Sequence, residues 1–329
     1  MAKKIIIYSI LISCAISSGM RAVSQTSMDE GSKKVPFREV WAYLMAGEEK
    51  RMKGTGPFTD VCYFSAGLDY RGSLVGHKPP PAETRNRETR VHMVVTALSN
   101  AALLHFCLDP SYGIRSSLVD DIVRASGEYH GVQIDFEAVP ARDRDHFVGF
   151  LAELKGKLNA KKILSVAVPP RRRAVEDAYD YSALSAVADR IIVMAYDQHW
   201  SGSAPGAVAS TWWCREVAAF SKSRIDPGKL IMGIPLYGRA WQDKKLSGSV
   251  TANRLEEMKK TFSPKIQICD RNGPYFTFRE NVEVTVYFDT AESILEKMKT
   301  YSAEGVRGIS FWRIGQGSPD IWNHVEIVK

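Results

Sequence analysis

The most chemically loaded stretch of the chain is Gly131-Val132-Gln133-Ile134-Asp135-Phe136-Glu137. Read as an extended strand, it sends Gln133, Asp135 and Glu137 to one face and Val132, Ile134 and Phe136 to the other. Polar groups facing a protein interior are costly unless paired, and two carboxyls held this close do not both ionise freely. An anionic Asp135 would raise the pKa of Glu137 and keep a proton available for a leaving group, which is the property of a general acid. Without catalysis, Asp135 and Glu137 read as loop-edge carboxylates bonded to backbone or arginine, and this strand alone does not choose.

Such a strand must be set in a sheet. From residue 38 onward, short apolar β-branched runs alternate with amphipathic stretches, as expected of a parallel sheet wrapped by helices. Eight runs stand out: Val40–Met45, Val61–Ala66, His92–Leu98, Gly131–Glu137, Ile163–Val168, Arg190–Tyr196, Leu230–Leu236 and Gly308–Trp312. Between two of them, over Arg142–Leu158, Phe147, Phe150, Leu151, Leu154 and Leu158 fall at helical spacing. This pattern predicts an α/β fold, a (β/α)8 TIM barrel over residues 36–329. An open doubly wound sheet is the alternative, but no glycine-rich phosphate-binding turn follows any strand. The interval from Gly238 to Gly308 is too long for a simple crossover. It holds a helical piece near Leu255–Lys260, β-like stretches at Ile266–Ile268 and Val282–Phe288, and a helix near Ala291–Tyr301, which predicts a small α+β insertion over residues 240–290 between strands seven and eight. Gly76–Arg90, with three successive prolines, reads as a long loop.

Composition sets the class. A chain of 329 residues with 45% hydrophobic and 25% charged side chains is neither disordered nor collagen-like. Lys3 and Lys4 precede an apolar run from Ile5 to Ile16, too short to span a bilayer as a mature helix, so residues 1–24 read as an export signal. Cleavage near Ala22 and Ser24 competes with lipid attachment at Cys14, because Leu11-Ile12-Ser13-Cys14 resembles a bacterial lipobox. Either route predicts a periplasmic, cell-surface or extracellular protein. The formal charge of +7 drops to +4 without Lys3, Lys4 and Arg21, an excess compatible with an anionic wall polymer and too small to argue for nucleic acid. Cys62, Cys107, Cys214 and Cys269 are widely spaced, so buried free thiols are expected rather than a disulfide framework or metal site. The 7 histidines are scattered, and neither a metal nor an organic cofactor is implied.

HGVQIDFE, residues 130–137, resembles the signature D-G-x-D-x-D-x-E of glycoside hydrolase family 18, the chitinase family. Met194–Asp197 (MAYD) is similar to that family's M-x-Y-D on the sixth strand, Met232–Trp241 (MGIPLYGRAW) to its seventh-strand segment, and Trp312 in GISFWRIG to its eighth-strand tryptophan. The resemblance runs from about residue 40 to the end of the chain. It implies substrate-assisted, retaining hydrolysis of β-1,4-linked glycans containing N-acetylglucosamine, in which the sugar's own acetamido oxygen attacks the anomeric carbon. Carried over by position, Glu137 protonates the glycosidic oxygen and later activates water, Asp135 orients the acetamido nitrogen, and Tyr196 holds the acetamido oxygen. Asp197, Tyr237 and Arg239 then contact sugar hydroxyls, Trp312 floors the pocket, and Gln133 joins the substrate-binding set. The plain readings are core aromatics for Tyr196 and Trp312 and a surface ion pair for Arg239. A monomer is expected, with an N-acetylated polysaccharide as its partner.

The segment from Met194 through Trp241 is closest in pattern to the spore-cortex and peptidoglycan-associated branch of that family. Arg171, Arg172 and Arg173 follow the fifth strand and could meet the carboxylates of muramyl peptides, or simply form a solvated basic loop. A catalytically silent carbohydrate-binding member is the alternative to an enzyme. Such members usually lack the acid, so Glu137 favours catalysis; a structural envelope protein has only the export signal behind it.

Two positions depart from the signature: His130 stands at the first aspartate and Gln133 at the second. Gln133 carries no charge, although its amide could still hydrogen-bond Asp135. With that like-charge neighbour missing, the acid limb of the pH–activity profile should be displaced. Restoring the carboxylate with Gln133→Asp is expected to move that limb to higher pH; superimposable profiles of the two proteins would count against the idea.

Overall fold

The computed structural model describes residues 34–52, 56–84, 88–243, 250, 252–269 and 273–329. The proposed export segment 1–24, with Cys14, lies outside them.

Eight parallel strands close into a ring: β1 (Glu39–Met45), β2 (Asp60–Leu68), β3 (Arg90–Ala97), β4 (Gly131–Phe136), β5 (Ile163–Val168), β6 (Arg190–Val193), β7 (Leu230–Pro235) and β8 (Gly308–Trp312). Each pairs with the next in chain order, and β8 closes the ring on β1 from Gly308 opposite Glu39 to Phe311 opposite Ala42. Strands covered on both faces have no solvent side to mark with polar residues, which is why β7 is buried at every position. The expected sixth strand is the one the fold shortens most. It leaves the sheet after Val193, three residues before Tyr196.

The helices are α1 (Ala101–Leu108), α2 (Ile114–Ala125), α3 (Arg144–Lys157), α4 (Tyr181–Val187), α5 (Thr211–Lys222), α6 (Ala252–Phe262) and α7 (Ala291–Ala303). On α3, Phe147, Phe150, Leu151 and Leu154 are the buried face, as their spacing requires. The first two crossovers depart from a regular (β/α)8 plan. Among the described residues they contain only short 3-10 turns at Glu49–Met52 and Ala82–Thr84 and a two-residue strand, Leu74–Val75, folded back on β2. Val35–Phe37 runs parallel to Val325–Ile327, a pairing the sequence pattern did not reveal.

Between β7 and α7 the chain builds α6 and two small antiparallel ladders, Arg239–Gln242 with Val284–Tyr287 and Gln267–Cys269 with Gly273–Tyr275. Phe262 at the end of α6 stacks on Phe278 at 4.1 Å.

Inside the ring, a compact apolar cluster of Trp41, Tyr43, Cys62, Val94, Ile192 and Ile231 separates the two ends. The lower end is an ionic plug. Asp60, fully buried, accepts from Arg90 Nε at 2.7 Å and Thr59 Oγ1 at 2.6 Å and lies 2.8 Å from His92 Nε2. Burial pushes its carboxyl up, but the hydrogen bonds and charges of His92 and Arg90 win and hold it at about 2. Cys62, Cys107 and Cys214 are buried free thiols. No described helix is long and apolar enough to cross a membrane.

Gly131 begins β4 where it presses on β5: an added Cβ would sit 2.4 Å from the Ile163 carbonyl oxygen. Gly156, near the end of α3, has open space around it. Gly131→Ala should therefore cost about 2–4 kcal/mol by overpacking, whereas Gly156→Ala should gain up to about 1 kcal/mol through helix propensity. Urea unfolding midpoints of the two variants should move in opposite directions.

Candidate active site

The upper end of the ring, where the C-terminal ends of the strands meet, opens into a cavity of about 280 Å³. Asp135, Glu137, Tyr196, Asp197, Tyr237 and Trp312 share its wall.

β4 ends at Phe136, and Glu137 stays tied to β3 because its N–H donates to the Ala97 carbonyl at 2.9 Å. Asp135 points into the ring and is 4% exposed. Its Oδ2 accepts from Thr96 Oγ1 at 3.3 Å, and its Oδ1 has no hydrogen-bond partner among the described residues. Burial, and after it the Glu137 carboxylate, pushes Asp135 up to about 7, with Thr96 pulling the other way. Glu137 opens to the cleft. The surrounding walls still strip enough water from it to raise its pKa, and Asp197 adds to the shift. The Glu137 carboxyl is therefore raised, first by burial and then by the Asp197 charge. The two β4 carboxyls interact and titrate as a pair.

The missing aspartate at position 133 does not leave Asp135 low, because desolvation, and after it the Glu137 charge, drives it upward. Gln133 itself is fully buried and lies off the cavity wall. Its Nε2 donates to Ser165 Oγ at 3.3 Å, its Oε1 has no hydrogen-bond partner among the described residues, and the anticipated bond to Asp135 is not made. His130 sits at the foot of β4, where its Nδ1 accepts from the Val91 N–H at 3.0 Å. Seven residues of extended chain, about 23 Å, separate it from Glu137. The substitution at the start of the signature is thus remote from the acid.

Tyr196 and Asp197 are neighbours in sequence, and a continuous strand would send them to opposite faces. After Val193 the chain turns tightly instead, with the Tyr196 N–H donating to the Met194 carbonyl at 2.7 Å and Asp197 at a left-handed φ of 56°. Both side chains then reach the cleft. Gly233 on β7 makes room for this turn, since a Cβ there would meet Val193 O at 2.9 Å and Tyr196 Cε1 at 3.0 Å. A left-handed non-glycine residue is held against local preference by its surroundings. Asp197 has two such holds: Tyr237 OH donates to its Oδ1 at 2.6 Å, and Arg239 forms an ion pair with the same oxygen. Arg239 braces Asp197 from behind the wall and does not line the cavity. Trp312 lines the cavity, packed against Tyr43 at 5.2 Å and Phe64 at 5.1 Å and facing Tyr196 at 6.4 Å. The peptide between Trp312 and Arg313 is cis.

Tyr43 and Phe64 line the cavity and were not singled out from sequence. Their positions near the upper ends of the first two strands are the signal that could have found them. Arg171 is paired with Asp177, and Arg172 with Glu216 at 2.8 Å. Neither these two arginines nor Arg173 lines the cavity.

The sequence model described as Glycosyl hydrolases family 18 matches residues 114–317, which contain β4 to β8 and all of the predicted site. The chain belongs to glycosyl hydrolases family 18. Among family relatives, it is 28% identical over 296 residues to the cortical fragment-lytic enzyme of Bacillus cereus, covering 82% of this chain and 68% of that enzyme. With the enzyme of the same name from Bacillus anthracis it shares 28% identity over 224 residues, 64% of this chain and 52% of that enzyme. The chain spans about half the length of the first curated relatives it matches. The family fold recurs in the crystal structure of the Bacillus cereus spore cortex-lytic enzyme SleL, with TM-score 0.71 and 24% identity over 90% of this chain and 76% of that one. It recurs also in a chitinase of Chromobacterium violaceum, with TM-score 0.68 and 23% identity over 88% and 98% of the two chains.

A carboxyl whose folded pKa is raised favours folding in its protonated form. For Asp135, stability should fall as pH climbs from its ordinary 3.8 to about 7 and level off above that. Asp135→Asn is therefore expected to be more stable than wild type at pH 8 by about 2–4 kcal/mol, the gap closing toward pH 4. Urea unfolding at the two pH values measures it.

Proposed function

We propose that this family 18 chain is a glycoside hydrolase that cleaves β-1,4-linked glycans containing N-acetylglucosamine, with retention at the anomeric carbon. The observation that carries the reading is Glu137 open to the cleft and sharing its wall with the buried Asp135 two residues before it on the strand. Glu137 protonates the glycosidic oxygen while the acetamido oxygen of the sugar attacks the anomeric carbon. Asp135 takes the acetamido N–H and thereby makes that oxygen more nucleophilic, and the Tyr196 hydroxyl holds the oxygen in line. The Glu137 carboxylate then removes a proton from the water that opens the cyclic intermediate. Asp197 and Tyr237 meet the sugar hydroxyls, and Trp312 gives the reacting ring an apolar face.

Peptidoglycan is the polymer this reading favours over chitin, on the support of relatives named for lysis of spore cortex and its fragments. Action on such a polymer requires export, which the 1–24 segment would direct, ending in cleavage near Ser24 or in a lipid at Cys14.

Wild type and Glu137→Gln should be compared on a chromogenic N-acetylglucosaminide oligomer, on purified peptidoglycan and on chitin oligomers side by side. The variant is expected to lose about 10²–10⁴-fold in turnover while still binding glycan. Because Glu137 acts as an acid with a raised pKa, wild-type kcat/KM should fall on the alkaline side as that proton is lost. Retained binding without wild-type turnover on any of the three would favour a silent carbohydrate-binding protein.

A further inference from the structure

The β4–β5 ladder runs only from Gly131 opposite Ile163 to Ile134 opposite Val166. Beyond Ile134 the two strands part, and the cleft occupies the gap, with Asp135 and Glu137 on one bank and Ala167, Pro169 and Pro170 on the other. Toward β3 the acid's backbone stays in register up to Ala97 opposite Phe136. Toward β5 the sheet no longer supports it.

The Tyr179 side chain spans that side. Tyr179 OH donates to the Phe136 carbonyl at 2.7 Å and accepts from the Val139 N–H at 3.3 Å, so one hydroxyl grips the backbone before and after Glu137. The tyrosine is 9% exposed, and its ring meets Phe147 edge-on at 6.1 Å, while Phe147 stacks on Phe136 at 6.3 Å. Its own backbone is anchored too. The Tyr179 N–H donates to Asp177 Oδ1 at 2.9 Å, and Asp177 is ion-paired to Arg171. The arginine-bearing loop after β5 thus ends in the clasp on the acid's segment.

We propose that Tyr179 is a positioning residue for Glu137, its hydroxyl taking the place of the β4–β5 ladder where the strands separate to admit the substrate. The hydroxyl bonds the peptide groups on either side of Glu137, and a shift of about 1 Å in a reacting group can cost about 10²-fold in rate. The kinetic consequence rests on Glu137 being the acid; the effect on the environment of its carboxyl does not.

Tyr179→Phe keeps the packed ring and deletes both bonds. In the folded variant kcat should fall about tenfold with KM within about twofold of wild type, because the interaction acts on the acid and not on the glycan. The titration midpoint of the Glu137 carboxyl, followed by NMR on protein carrying 13C-labelled glutamate and assigned with Glu137→Gln, should fall by about half a pH unit as water reaches a loosened segment. Asp177→Asn, which leaves the hydroxyl in place but weakens its anchor, should move both readouts less and in the same direction. Its effect should be absorbed in the double variant. A merely structural tyrosine would lower the unfolding temperature yet leave kcat and the Glu137 midpoint of the folded protein unchanged, and that result overturns the proposal. If wild type turns over no glycan, the proposed function fails while the midpoint comparison still decides the role of Tyr179. If Tyr179→Phe does not fold, the midpoint in Asp177→Asn decides it, an unchanged value overturning the proposal.

Discussion

A carboxyl placed inside a closed ring of strands loses its water, and only hydrogen bonds, opposite charge or a proton can offset that loss. The protein answers this constraint differently at the two ends of its barrel. At the lower end Asp60 receives Arg90, His92 and Thr59, stays ionised and fastens the strands together. At the upper end, among the described residues, Asp135 receives one long bond from Thr96 and no cation, and burial with the Glu137 charge pushes it up to about 7. One residue type in one barrel is a structural anchor in the first setting and a poised group in the second. The difference lies in the partners each is given.

The upper end is also where the regular barrel is broken, and each break serves the cleft. The β4–β5 ladder stops early and leaves a gap beside Glu137. β6 stops early and turns, which brings Tyr196 and Asp197 to the same cavity against the alternation of a strand. Both breaks need support from outside the sheet. Tyr179 supplies it for the first, and Tyr237 with Arg239 for the second. A rigid scaffold that yields only at braced points is how a site keeps reacting groups in place at its most open end.

The small insertion contributes through one of these braces. Arg239 begins the ladder formed with Val284–Tyr287, so the segment that looks like an appendage in the chain order carries the cation that holds Asp197. Asp197 in turn adds to the upward shift that burial imposes on the Glu137 carboxyl. The insertion and the acid are therefore electrostatically connected through one carboxylate.

What the sequence determined by itself was local. The period-two alternation of Gly131–Glu137 put Asp135 and Glu137 on one face, the apolar runs marked the eight strands, and the spacing of Phe147, Phe150 and Leu154 marked a helix face, because each property depends only on neighbours a few residues away. The resemblance of four motifs then gathered Tyr196, Asp197, Tyr237 and Trp312 toward the same acid. Tertiary structure decided the rest. It buried Gln133 against Ser165, added Asp197 to the charges acting on Glu137, and brought in Tyr43, Phe64, Thr96 and Tyr179. Burial and electrostatics are sums over whatever the fold places nearby, and segments that meet at the mouth of a barrel come from all along the chain.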